Sequence, residues 1–350
     1  MNHQTTMPKQ RALVIRLSSL GDIVLTQPVL AQMERAGYRV DLFVKPEYVA
    51  LGKLLPGAAR VLSAPADLEP RYALVLDLHD TPRSRRLGRR VQAGRKLRYN
   101  KHPLARRLLV RPAGRRMPWH AWESIAQGQQ VTEWYAAAAR QAGIAAPTLP
   151  PRLALPEWVL AAAEQILRGA KLAGQDRFAV LAPGAAWPAK QWPQEHFAQT
   201  ARLLQSELGL RPVFIGSAGE RKLCETLAQQ TGGKAVSLAG LTSLPTLAAV
   251  LSLAEVLVTN DSGPLHLGLA AGAPAVALFG PTVSAFGFAP LTHPRARVLE
   301  QNLHCRPCSL HGGVRCPLQH HHCLSLTTPE QAVAACRDLL ATQPLSKRSA

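Results

Sequence analysis

The chain has 350 residues, with 41 Lys and Arg against 22 Asp and Glu for a formal charge of +19, and 47% of it is hydrophobic. That length suits two domains, and that apolar content excludes a disordered or collagen-like chain. No uncharged apolar run reaches about 18 residues, which excludes a membrane-spanning helix of ordinary kind, and no apolar segment with a cleavage site opens the chain, so secretion is not expected.

In the first half, ALVIRL (12–17), RVDLFV (39–44) and YALVLDL (72–78) are short apolar runs that read as buried parallel strands. Between them, 22–36 and 46–55 read as helices, the first closed by Gly37. Residues 120–142 read as a long helix ending at Gly143, and APTLPPRLALP (146–156) reads as a linker. The second half repeats the alternation. FAVLAP (178–183), RPVFIG (211–216), EVLVTN (255–260) and PAVALFG (274–280) read as strands, with helices near 194–208, 219–231, 243–253 and 262–271. Two such halves predict an α/β chain of two Rossmann-like, doubly wound domains facing a central cleft. The expected boundaries are 1–155, 156–327 and a closing segment 328–350 with one helix.

The positive charge is concentrated. Between Asp80 and Glu123 no acidic residue occurs, yet fourteen basic ones do, among them Arg83, Arg85 and Arg86. A solvated surface normally mixes both signs, so this run points to a polyanion: nucleic acid, an anionic bilayer or a phosphorylated substrate. Aromatic residues are sparse in it and no RNP or zinc-finger motif accompanies it, which favours an anionic substrate or membrane over nucleic acid.

In doubly wound sheets, ligands bind beyond the carboxyl ends of the strands, so the loops there carry the functional signal. Ser18-Ser19-Leu20-Gly21-Asp22 follows the first strand; Asp22 is either a charge at a helix start or a catalytic base. The loop 183–193 ends on Lys190, just before a helix that starts near Pro193. A lysine there is either simply exposed or paired with an anion between it and the helix start. Asp261, Ser262 and Gly263 open another helix, with free amides behind them as an anion site and His266 about one turn in. Phe279-Gly280-Pro281-Thr282 follows the next strand. Together Lys190, the Ser262-Gly263 amides and Thr282 would suit a diphosphate. There is no GxxxxGK[ST], no GxGxxG after a strand and no Asp-x-Asp pair; Asp77 and Asp80 lie three apart. No cofactor and no catalytic metal are expected.

The segments RALVIRLSSLGDIVLTQPVL, LAPGAAWPAKQWP, FIGSAGERK and VTNDSGPLHLGLAAGAPAVALFGPT resemble glycosyltransferase family 9, the heptosyltransferases of lipopolysaccharide core synthesis. The resemblance covers about residues 10 to 340. It implies the GT-B fold, with an acceptor-binding N-terminal domain, a donor-binding C-terminal domain, no metal, and a last helix that crosses back to the N-terminal domain. It implies inverting transfer from ADP-heptose to an anionic glycolipid, the Kdo/heptose inner core, at the cytoplasmic surface of the inner membrane. Asp22 would be the base. Lys190 and the backbone at Ser262 and Gly263 would meet the donor diphosphate. Asp261 would meet the heptose, Glu220 the ribose, Thr242 the adenine pocket, and His266 and Thr282 the phosphate side. Ser19, Gly21, Arg83, Arg85 and Arg86 would face the acceptor. Some family members carry hydroxyl residues where this chain has Ala185 and Ala186.

Cys305, Cys308, Cys316 and Cys323, with histidines nearby, have the ligand count of a structural zinc site. The second pair lacks the C-x2-C spacing, so reduced or paired thiols packing a loop stand as the other reading. The competing functions are the same fold acting on another nucleotide sugar or acceptor, a GT-B nucleotide-sugar epimerase, and a basic nucleic-acid-binding protein.

Overall fold

Buried parallel strands need both faces covered, and this chain supplies the helices between them. The structure, a computed structural model, describes residues 10–100, 110, 130–172 and 176–342. Among these, 10–100 and 131–154 form one unit, and 155–342 with 110 and 130 form another. The division falls between Ala154 and Leu155, inside the proline-rich stretch.

The first unit holds β1 (Gln10–Ile15), β2 (Tyr38–Phe43), β3 (Ala58–Leu62), β4 (Arg71–Asp77) and β5 (Gln92–Arg98) in the parallel order β3-β2-β1-β4-β5. Leu13, Ile15, Phe43, Tyr72 and Val75 are buried together at its core. Each such aliphatic side chain contributes about 1.5–3 kcal/mol. Asp41, fully buried in β2, is tolerated because Arg60 of β3 grips both its oxygens at 3.0 and 2.6 Å and the Tyr72 hydroxyl donates at 2.9 Å. The order reverses at β1, whose Ile15 lies opposite Asp77 of β4, so the loops after β1 and β4 leave from the same edge.

The helix expected over 22–36 is split into α1 (Leu20–Leu25) and α2 (Gln27–Arg35), because Pro28 has no amide to continue the ladder. The expected helix 46–55 is a 3-10 turn at Pro46–Tyr48 followed by the single turn α3 (Val49–Gly52). After β4 comes α4 (Pro82–Arg89), which the hydrophobic pattern does not reveal. Of the helix expected over 120–142, α5 (Val131–Arg140) is seen; 120–129 lie outside the described residues, as does the arginine run at 101–109 and 111–129.

The second unit opens with α6 (Glu157–Gly169), then β6 (Phe178–Ala182), α7 (Gln194–Leu208), β7 (Arg211–Phe214), α8 (Arg221–Thr231) and β8 (Val236–Ser237). It continues with α9 (Leu244–Leu253), β9 (Val256–Asn260), α10 (Gly263–Ala271), β10 (Ala275–Phe279), β11 (Ala296–Glu300), α11 (His322–Ser325) and α12 (Pro329–Ala341). The sheet runs β11-β10-β9-β6-β7-β8, all parallel, and reverses between β6 and β9. Every residue of β6, β9 and β10 is buried, which is why these strands read as unbroken apolar runs.

The closing helix α12 packs on α7, β9, β10 and β11 of its own unit. Its Ala332, Val333, Cys336 and Leu339 join Phe197, Ala201 and Leu204 in one core, so its apolar face is satisfied there. Among the described residues, no helix is long and apolar enough to cross a membrane.

Candidate active site

At the reversal point of the first sheet, the chain leaves β1 through Arg16, Leu17, Ser18 and Ser19 and enters α1. Asp22 is the third residue of that helix and reaches back to the residue before it. Its Oδ2 accepts from the Ser19 hydroxyl at 2.8 Å and from the Ser19 amide at 3.3 Å. Its Oδ1 faces the Arg16 guanidinium at 2.5 Å and accepts from the Tyr135 hydroxyl of α5 at 3.2 Å. Arg16 is itself buried, donates to the Leu78 carbonyl beyond β4, and lies 5.5 Å from the Tyr135 ring centre. Burial pushes the Asp22 carboxyl up, but the Arg16 charge and the Ser19 hydrogen bonds outweigh it and hold the group below its usual value. Burial pushes the Tyr135 phenol well up, so this hydroxyl stays protonated and donates. The carboxylate is thus both a helix-capping group and an ionised acceptor.

Beside it, the buried Asp77 ends β4 and organises the next turn. It accepts from the amides of His79 and Asp80, both at 2.9 Å, and from the Ser84 hydroxyl at 2.8 Å. Thr81 caps α4 through Ser84, and Arg83, Arg85 and Arg86 stand exposed on that helix. Arg85 pairs with Asp80 at 2.9 Å, so its charge is partly answered locally. Ser19, Gly21, Asp22 and the Arg83 helix therefore leave neighbouring strands at one edge.

At the reversal point of the second sheet, three expected residues meet. Lys190 Nζ lies 2.5 Å from Asp261 Oδ2, and the Thr282 hydroxyl donates to the same oxygen at 2.7 Å. Lys190 also donates to the Asp261 carbonyl at 3.2 Å. Ser262 precedes α10 in extended conformation and makes no side-chain cap on it. His266 is buried within α10 and sets its ring edge-on to Phe288. Glu220 accepts from the Ser217 amide and hydroxyl at 2.7 and 2.8 Å. Its carboxylate lies so close to Gly184 that a Cβ there would fall 1.7 Å from Oε1, so the loop after β6 needs glycine at this point. Thr242 lies two residues after Gly240, whose amide donates to the Gly216 carbonyl at 2.9 Å and where an added Cβ would lie 2.8 Å from the Ala218 α-carbon.

Four residues that sequence reasoning missed hold these groups. Arg16 was visible as a charge straight after a buried strand. Tyr135 gave no signal, since it lies 113 residues from Asp22. Asn260, fully buried, donates to Pro183 at 2.8 Å and accepts from the Trp192 amide at 3.0 Å, tying the loops after β6 and β9. Arg306, also buried, donates to the Gly280 and Thr282 carbonyls. Among the described residues, no group of three or more His, Cys, Asp or Glu is arranged to hold a metal ion, and all six cysteines are free. Burial pushes the Cys323 thiol to about 12 and raises Cys305 and Cys308 as well.

Two Rossmann-ordered parallel sheets, each with polar groups gathered where its strand order reverses, define an α/β protein of the GT-B class. The family glycosyltransferase family 9 (heptosyltransferase) matches residues 68–315, and the chain belongs to it. It is similar to lipooligosaccharide heptosyltransferase 2 of Campylobacter jejuni subsp. jejuni serotype O:2, 31% identical over 164 residues, 46% of this chain. That alignment spans about half, 50%, of the relative's length. The fold is shared with a family 9 glycosyl transferase from Veillonella parvula at TM-score 0.78 and 21% identity, over 96% of this chain and 99% of that one. It is shared too with the E. coli ADP-heptose lps heptosyltransferase II at TM-score 0.72 and 23% identity, over 97% and 100%.

Proposed function

We propose that the protein is an inverting, metal-independent glycosyltransferase that moves a heptose from ADP-heptose to the inner core, the Kdo/heptose region, of lipopolysaccharide. The observation that carries this reading is the division of chemistry between the two sheets. One reversal point holds Asp22, a carboxylate kept ionised by a buried arginine, beside an Asp77 that is committed to its own turn; the other holds a lysine and a hydroxyl, both on Asp261, and an uncapped helix start. Family membership and the names of the relatives support the donor and acceptor class.

In this reading, Asp22 takes the proton of an acceptor hydroxyl as that oxygen bonds to the anomeric carbon and the bond to the ADP diphosphate breaks. A carboxylate held low is a weak base. It serves here because the attacked carbon is already electron-poor as the diphosphate departs. Lys190, the Thr282 hydroxyl and the amides at Ser262 and Gly263 stabilise the charge gathering on that diphosphate. Asp261 already occupies Lys190, so an entering diphosphate shares the lysine with it, and the sugar hydroxyls give the carboxylate new donors. Glu220 and Thr242 flank the nucleoside, and His266 backs the helix start. Ser19 and Gly21 lie beside the acceptor hydroxyl, and Arg83, Arg85 and Arg86 meet acceptor phosphates and carboxylates. The metal-independent route is supported by Asp77, whose oxygens are committed to the turn at His79, Asp80 and Ser84. The exposed arginines of α4 also suit a peripheral place on the cytoplasmic face of the inner membrane.

A donor screen with mass detection, run on the wild type beside Asp22→Asn, tests the assignment. Transfer is expected only with donor and acceptor together, and Asp22→Asn is expected to lower kcat by about 10²–10⁴-fold with ADP affinity retained. Turnover of donor alone would make the protein an epimerase. Steeply salt-dependent DNA binding without transfer would make it a nucleic-acid binder.

A further inference from the structure

The cysteine-rich segment after β11 is used by none of the chemistry above, yet it lies against both halves of the Lys190–Asp261–Thr282 group. Arg306 is one of the largest fully buried side chains in the chain, 1% exposed. Its Nε donates to the Gly280 carbonyl at 2.5 Å, and one terminal nitrogen donates to the Thr282 carbonyl at 2.7 Å and to Glu300 at 2.8 Å. Its other terminal nitrogen donates to the Gln301 carbonyl, and the Cys308 amide donates to Pro281 at 3.1 Å. The backbone that bears Thr282 is therefore gripped at three successive carbonyls. A few residues on, the same segment meets the loop that bears Lys190. The Ala189 amide donates to the Gly313 carbonyl at 2.9 Å. Gly312, at φ +108°, packs so closely that a Cβ would lie 2.6 Å from Trp187 Cβ and 3.1 Å from Lys190 Cγ.

We propose that residues 306–313 form a strap that sets the donor site, with Arg306 and Gly312 as positioning residues that fix Thr282 and Lys190 for a nucleoside diphosphate. Only a planar fork reaches carbonyls on both sides of Pro281 while keeping Glu300 paired; a lysine offers a point charge without that geometry. Thr282 then holds Asp261, and Asp261 holds Lys190, so a shift at Arg306 reaches the lysine through two hydrogen-bonded contacts. The inference rests on the reading of this group as the donor site.

The test compares wild type, Arg306→Lys and Gly312→Ala by calorimetric titration with ADP, by donor and acceptor KM, and by thermal unfolding. Arg306→Lys is expected to weaken ADP and raise donor KM about tenfold, with acceptor KM unchanged. Gly312→Ala leaves the Arg306 contacts intact and is expected to weaken ADP in the same sense. In a Thr282→Val background, the effect of Arg306→Lys is expected to shrink, because both changes act on one loop. If ADP affinity and donor KM stay at wild-type values in both single variants while Tm falls, the strap is only structural and the inference is overturned. Equal rises in donor and acceptor KM would overturn it too. If the wild type itself does not bind ADP, the donor-site reading fails first, and the two failures are thereby told apart.

Discussion

At Asp22, three physical effects compete on one carboxyl group: burial, which raises its pKa, and the Arg16 charge and Ser19 donors, which lower it and prevail. A carboxyl lowered in this way contributes stability that is complete above its unfolded value of about 3.9 and lost as pH falls through the lower folded value. Asp22 therefore adds no acid limb to the kcat/KM profile above about pH 4. Replacing Arg16 with Gln leaves burial dominant, and the acid limb is expected to move up by about 1–3 pH units. A pH–rate profile of the two proteins measures this directly; an unmoved limb would mean that Arg16 does not set the charge state of Asp22. The loops that carry Asp22, Lys190 and Asp261 were legible because glycine, small residues and a helix start follow an apolar strand at each of them. Arg16 and Tyr135 were not assigned, since what gives them a role is contact with a residue elsewhere in the chain.

Among elements, the central strands were legible and the edge strands were not. β1, β6, β9 and β10 are buried on both faces and stand out as apolar runs. β5 is Gln-Ala-Gly-Arg-Lys-Leu-Arg and mostly exposed, so nothing in its pattern distinguishes it from a charged loop. α4 was hidden for the same reason: half of it is arginine, and it is set by the Thr81–Ser84 cap and by Asp77. The turn between α3 and β3 carries a different constraint. Gly57 sits at φ +98°, and a Cβ there would lie 2.4 Å from the Ala31 amide nitrogen and the Leu30 carbonyl carbon of α2. Backbone cannot yield as a flexible side chain can, so Gly57→Ala is expected to lower unfolding free energy by about 3 kcal/mol. Urea denaturation of the two proteins gives the number, and a change within about 0.5 kcal/mol would show that the turn relaxes freely.

For the whole molecule, βα alternation gave two doubly wound units, and their loops were placed at the right edges because every parallel strand points the same way. The destination of α12 was not legible: an amphipathic helix announces that it must bury a face without naming the surface that covers it. The charge of +19 is a property at this scale as well. Arg83 and Arg86, exposed on α4, belong to its one-signed field. Changing both to Gln is expected to weaken binding to phosphatidylglycerol vesicles roughly tenfold and to raise acceptor KM, and the vesicle binding should fade as salt is added. Vesicle sedimentation with an acceptor titration checks both, and two unchanged values would remove the arginine face from the account. The strand order has a last consequence, for biosynthesis. Arg16 meets Leu78 across 62 residues, and Asn260 meets Pro183 across 77. A nascent chain emerging from the ribosome thus exposes Asp22 long before the strand that immobilises its surroundings has been translated. Each of the two polar groups therefore comes into being late, together with the sheet that carries it.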